Sequence, residues 1–122
     1  MGLDQYAYTR TFDQSKDNVQ YEFIWRKHAQ LQTWMEDLFT RVNCAPAEDL
    51  NCGELELTLD DIAKLERDLQ DRALPRSEGG FFFGHQFQDE SAREYREQDL
   101  EFCTWARNSL RSGKRVFYSC WW

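Results

Sequence analysis

Leu3-Asp4-Gln5-Tyr6-Ala7-Tyr8-Thr9-Arg10-Thr11-Phe12 alternates in character, with Tyr6, Tyr8, Arg10 and Phe12 on one side of an extended chain and Ala7, Thr9 and Thr11 on the other. Period-two alternation marks a strand, because successive side chains of an extended backbone point to opposite faces. At the other end, Arg115-Val116-Phe117-Tyr118-Ser119-Cys120-Trp121-Trp122 is rich in the β-branched and aromatic side chains that a pleated surface accommodates. If these terminal strands pair, Tyr118 and Trp122 share a face with Tyr6, Tyr8 and Arg10. That face is either an aromatic wall for a ligand or the surface on which a helix packs.

Between the ends, helical spacing dominates. Over residues 23–42, Ile24, Leu31, Trp34, Met35, Leu38 and Val42 recur as one apolar face, with Arg26, Gln30, Gln32 and Asp37 between them, which predicts the first helix. Residues 43–51, with Pro46, read as loop, and Leu55, Leu57 and Leu59 alternate with glutamates as in a short strand. Thr58 followed by Asp61 is a variant of the capping box, and Ile62, Leu65 and Leu69 continue it as a second helix that stops before Pro75. A third helix, capped by Asp89 or Ser91, carries Ala92, Tyr95, Phe102, Cys103, Ala106 and Leu110 on one face and stops at Gly113. The expected fold is a single α+β domain over residues 1–122. About three helices pack on one face of a small, mostly antiparallel sheet that includes the N- and C-terminal strands.

Composition narrows the function. The 122 residues are 41% apolar and 30% charged, the balance of a globular chain, and a net charge of −7 argues against long polyanions such as nucleic acid. Screening within about 8 Å still permits a local basic pocket for a small anion. Acids interleave with Arg72, Arg93, Arg96 and Arg107 instead of forming a block, the pattern of solvated helix faces. No run approaches the ~18 apolar residues of a membrane span, and the start lacks a signal-peptide pattern, so the expected location is the cytoplasm. Cys44, Cys52, Cys103 and Cys120 show no paired metal-ligand spacing and are expected reduced, with Cys103 and Cys120 in the core; neither a metal nor a cofactor is expected.

Four segments resemble a family of uncharacterised small proteins of bacteriophages and prophages. They are Met1-Gly2-Leu3-Asp4-Gln5-Tyr6, then Trp25-Arg26-Lys27-His28 leading to Leu31 and Trp34, then Leu74-Pro75 with Gly80-Phe81-Phe82-Phe83-Gly84, and finally Phe117-Tyr118-Ser119-Cys120-Trp121. They follow the family's order along the whole chain. The resemblance implies a phage accessory protein acting in the cytoplasm of an infected bacterial cell, and it brings no established activity. Phosphotransfer of the kinase type is disfavoured because no G-x-x-x-x-G-K motif is present.

The candidate functional residues fall in three groups. Arg26, Lys27 and His28 gather positive potential within what reads as one helical turn, and Arg is suited to phosphate or carboxylate. The run Gly79-Gly80-Phe81-Phe82-Phe83-Gly84-His85 cannot face all its rings one way, so it is either a ligand platform or a strand buried on both faces. Trp121 and Trp122 close the chain as a potential apolar anchor. These yield a small-anion or nucleotide site of Arg26, Lys27, Phe82 and His85 with Tyr6 and Tyr8 as stacking partners. They also yield a host-protein contact through Phe81, Phe83, Trp121 and Trp122, with a homodimer as a further way of covering exposed rings. An alternative is a small hydrolase or transferase acting on a nucleotide-like substrate with His28 and His85, the only histidines, as its acid–base pair.

Overall fold

The structure, a computed structural model, describes residues 2–10, 19–78 and 85–122, with the backbone alone at His85. Phe12 and Phe81, Phe82 and Phe83 lie outside the described residues, as do the readings that rest on them. The chain forms β1 (Asp4–Arg10), β2 (Phe23–Arg26), α1 (Ala29–Asn43), β3 (Glu54–Leu57), α2 (Leu59–Gln70), α3 (Gln88–Arg111) and β4 (Arg115–Trp121). A short 3-10 turn at Ala47–Leu50 precedes β3, and another at His85–Phe87 leads into α3. The four strands make one antiparallel sheet in the order β2-β1-β4-β3, so the two terminal strands are its centre and pair along their whole length, from Asp4 opposite Trp121 to Arg10 opposite Arg115.

Register corrects one detail of the sequence reading. Ala7 lies opposite Tyr118, so Tyr118 belongs to the inner face with Gln5 and Ala7, while Phe117, Ser119 and Trp121 share the outer face with Tyr6, Tyr8 and Arg10. A one-residue shift in parity exchanges faces completely. Trp122 follows the strand and is tied down by its backbone N–H, which donates to Asn51 Oδ1 at 3.0 Å.

The first predicted helix is really a strand and a helix. Phe23-Ile24-Trp25-Arg26 has β-favouring residues, alternates inward Trp25 with outward Ile24 and Arg26, and pairs with β1. Lys27, at φ 56°, then turns the chain before α1 begins at Ala29. Val42, placed on the apolar face by spacing, is 63% exposed, and Phe39 takes the buried position. Two polar residues expected on the outside, Gln30 and Gln32, are buried.

The capping box of α2 is complete: Asp61 N–H donates to Thr58 Oγ1 at 3.2 Å, and Thr58 N–H donates to Asp61 Oδ2 at 2.9 Å. Leu59 opens this helix instead of ending β3. Helix α3 starts at Gln88 with Phe87 at the cap position and no side-chain cap, so Asp89 and Ser91, the expected caps, lie inside its first turn. It stops as expected, with Gly113 at φ 89°.

The core lies between the sheet's inner face and the helices, with Leu3, Trp25, Leu31, Met35, Leu55, Leu65, Phe102 and Tyr118 among its enclosed side chains. Trp25 meets Phe102 edge to face at 5.3 Å. Cys103 and Cys120 are buried, and burial pushes each thiol up to about 12. The edge strand β2 is shielded by α3: Gln98 Nε2 donates to the carbonyl of Ile24 at 2.9 Å, and Arg26 N–H donates to Tyr95 Oη at 3.1 Å. Such cover removes the free edge that would otherwise template pairing with another chain. Among the described residues no helix is long and apolar enough to cross a membrane, and no group of three His, Cys, Asp or Glu side chains could hold a metal ion.

Candidate functional site

Two polar constellations stand out, one enclosed and one open. The enclosed one joins the sheet to α1 and α3. Asp99, in the middle of α3, accepts from Trp25 Nε1 at 2.8 Å through one oxygen and meets His28 Nε2 at 2.7 Å through the other. Gln5, on the inner face of β1, brackets residue 28 through its backbone: His28 N–H donates to Gln5 Oε1 at 2.9 Å, and Gln5 Nε2 donates to the His28 carbonyl at 3.1 Å and to Tyr118 Oη at 2.9 Å. Tyr118 donates onward to Gln32, and Gln32 Nε2 reaches Glu36 Oε2 at 3.0 Å. His28 is fully buried and stacks on the Tyr95 ring at 5.2 Å. Its Nδ1 is enclosed with no partner among the described residues. An imidazole that donates from Nε2 and leaves Nδ1 unprotonated places no buried N–H without an acceptor.

Gln5, Trp25, His28, Gln32, Asp99 and Tyr118 are all buried among the described residues. The effect of this network is positional, because it fixes the start of α1 and the middle of α3. A consequence can be measured at its outer end. Burial raises the Glu36 carboxyl above its ordinary value, partly opposed by the hydrogen bond from Gln32. A carboxyl raised in the folded state holds its proton more tightly folded than unfolded, so stability falls as pH rises through that raised value, and the loss is complete above it. Glu36→Gln is therefore expected to melt at a higher temperature than wild type near neutral pH. The difference should vanish below about pH 4, where the unfolded carboxyl is also protonated, and paired thermal melts across this range check it.

The open constellation is a cleft of about 480 Å³ between the end of α2, the segment after it and the first turns of α3. Arg72, Arg76, Arg93 and Arg96 line it. Arg93 and Arg96 share a helix face at a spacing of three, and Arg72 is delivered by the left-handed turn after α2, at φ 53°. Arg96 donates to the carbonyl of Leu69, which anchors it, and Arg76 pairs with Asp89 at 2.8 Å across the mouth. Neither Arg72 nor Arg93 forms an ion pair among the described residues. Leu69, Leu74 and Ala92 supply an apolar wall, and Gln30 contributes a buried amide. A chain of net charge −7 thus concentrates guanidinium groups in one concave, partly apolar place, which suits a small anion with an apolar part.

The residues expected from sequence to bind a ligand are distributed elsewhere. Arg26 is exposed on the outer face of β2, 3.9 Å from Asp4, and Lys27 is exposed at the turn. Tyr6 stacks on Tyr21 at 4.2 Å, and Tyr8 is buried on the outer face with its hydroxyl donating to Glu54. Phe82 and the His85 side chain lie outside the described residues. The backbone at His85 opens the turn before α3, whereas the partner of His28 is Asp99, eleven helical residues beyond Gln88 and so roughly 16 Å along the axis. His28 is wholly buried, and the His85 half of the acid–base pair read from sequence lies outside the described side chains. Of the residues considered for a partner surface, Trp121 is 59% exposed, Trp122 is partly buried against the core, and Phe81 and Phe83 lie outside the described residues. No protein-family model, curated protein or solved structure matches the chain.

Proposed function

We propose that the protein works by binding, holding a small organic anion in the arginine-lined cleft, and that it does so in the infected bacterial cell suggested by its resemblance to small phage proteins. The observation that carries this reading is the convergence of Arg72, Arg93 and Arg96 on one cleft, none of them with a carboxylate partner among the described residues. Guanidinium groups offer paired N–H donors to phosphate or carboxylate oxygens, and a cleft wall of low polarity strengthens those contacts. Calorimetric titration of the full chain with pyrophosphate at low salt tests it. Saturable one-to-one binding that weakens as salt is raised is the expected result, and heat indistinguishable from dilution contradicts it.

A second reading, docking of a host protein, is favoured by the outer sheet face, where Ile24 and Trp121 are more than half exposed beside Tyr21. Capture of such a partner would be lost in Trp121→Ser and retained when the cleft arginines are changed.

A further inference from the structure

The orientation of three amides in a row determines what the floor of the cleft can recognise. Ser77 N–H donates to Gln88 Oε1 at 2.7 Å, and Gln88 Nε2 donates to the Ser77 carbonyl at 3.1 Å. A backbone N–H can only donate and a carbonyl can only accept, so this pair of contacts fixes which end of the Gln88 amide is oxygen. Gln30 Nε2 then donates to that same Gln88 Oε1, at 3.3 Å. With its nitrogen turned to Gln88, Gln30 presents its own oxygen elsewhere. Gln30 is only 8% exposed, it lines the cleft, and its Oε1 accepts no hydrogen bond among the described residues. The oxygen is not sealed in, since the unpartnered side-chain atoms wholly enclosed by the described structure are Arg10 Nε and His28 Nδ1.

We infer that the cleft's ligand is two-ended: a phosphate monoester that meets Arg72, Arg93 and Arg96, joined to a flat nitrogenous base whose amino group donates to Gln30 Oε1. This rests on the anion-binding reading and specifies its ligand as a nucleoside monophosphate with an amino-bearing base. A bare inorganic anion meets the arginines but carries no amino group for Gln30 Oε1. A ligand with an N–H donor at the far end satisfies both. Leu69, Leu74 and Ala92 supply the apolar wall that a base requires, and a volume of about 480 Å³ falls in the range of small-molecule sites. A site with a buried acceptor discriminates strongly against an analogue lacking the donor, because that acceptor is then desolvated and left unpaired.

The test is calorimetric titration of the full chain with three probes: adenosine monophosphate, purine riboside monophosphate, which lacks only the amino group, and inorganic phosphate. Adenosine monophosphate is expected to bind at least about tenfold more tightly than either of the others. In Gln30→Met, which keeps side-chain length and removes the acceptor, the two nucleotides should bind within about twofold of each other, with purine riboside monophosphate bound more tightly than by wild type because no acceptor is left unpaired. Equal binding of the two nucleotides by wild type overturns the inference and leaves anion binding standing, as does phosphate binding as tightly as adenosine monophosphate. If none of the three binds, the anion-binding reading falls with it. The comparison of probes on wild type decides the matter even if Gln30→Met does not fold.

Discussion

Asp99→Ala is expected to lower the free energy of unfolding by roughly 2–6 kcal/mol, the cost of leaving two buried donors unsatisfied at about 1–3 kcal/mol each. Asp99 is 1% exposed and serves two donors, Trp25 Nε1 and His28 Nε2, both of which are themselves buried. Removing the carboxylate leaves an indole N–H and an imidazole N–H in an apolar interior with no acceptor and no route to water. Asp99→Asn separates the two contributions. Its amide oxygen can still accept from Trp25, while its NH2 would face His28 Nε2 and require the imidazole proton to move to Nδ1, which is enclosed without a partner. The asparagine variant should therefore lie between wild type and alanine. Denaturant unfolding monitored by tryptophan fluorescence checks the order. Domains of this size are stable by about 5–15 kcal/mol, so the alanine variant loses a large share of the total. A loss below about 1 kcal/mol would mean the network is not the anchor described.

The double charge reversal Arg72→Glu with Arg93→Glu is expected to weaken anion binding by about a hundredfold or more while leaving the fold intact. Hydrogen bonds to charged groups contribute roughly 1.5–3 kcal/mol each, and each 1.4 kcal/mol corresponds to a factor of ten in affinity. Reversal adds repulsion to that loss. Both side chains are exposed, and neither has an ion pair to forfeit among the described residues, so each change should alter stability by no more than about 1 kcal/mol, the upper figure for Arg93→Glu, which sets like charges four residues from Asp89 and Glu97. Arg115→Glu, compared with each single reversal in the cleft, is the control. It breaks a bidentate pair with Glu56, both contacts at 2.8 Å, on the outer sheet face and should leave ligand affinity unchanged. Equal loss of affinity in the control would point to long-range charge in place of the cleft.

The sheet was legible because its two central strands are the chain's ends, and both carry period-two or aromatic-rich sequences that need no tertiary knowledge to recognise. The capping box of α2 and the stop of α3 at Gly113 were legible for a similar local reason. Phe23 to Arg26 misled because a strand that runs directly into a helix shares its apolar spacing, and the break at Lys27 is conformational, with no glycine or proline to mark it. Asp99 sits within the apolar stripe of α3, between Tyr95 and Phe102, where a carboxylate at buried spacing is a visible anomaly. Its partners, on β2 and at the start of α1, are more than seventy residues away in sequence, and no local pattern names them.

The cleft was illegible for a related reason. Arg93 stands four residues from both Asp89 and Glu97, so helical spacing pairs it with carboxylates and reads it as an ordinary solvated charge. In the folded chain Asp89 turns to Arg76 instead, a residue that only the segment after α2 brings near. Gln30 and Gln88 likewise become informative only once the fold brings them together with the Ser77 backbone.

Nuclear magnetic resonance of the arginine Nε–H groups during titration with pyrophosphate tests the central claim most directly, because it reports which guanidinium groups meet the anion. The resonances of Arg72, Arg93 and Arg96 should move together along one saturating curve, while those of Arg107 and Arg115, paired with Glu66 and Glu56 away from the cleft, stay in place. Uniform, unsaturated drift of all arginine signals, or saturable shifts confined to Arg107 and Arg115, would contradict the assignment of the cleft as the binding site.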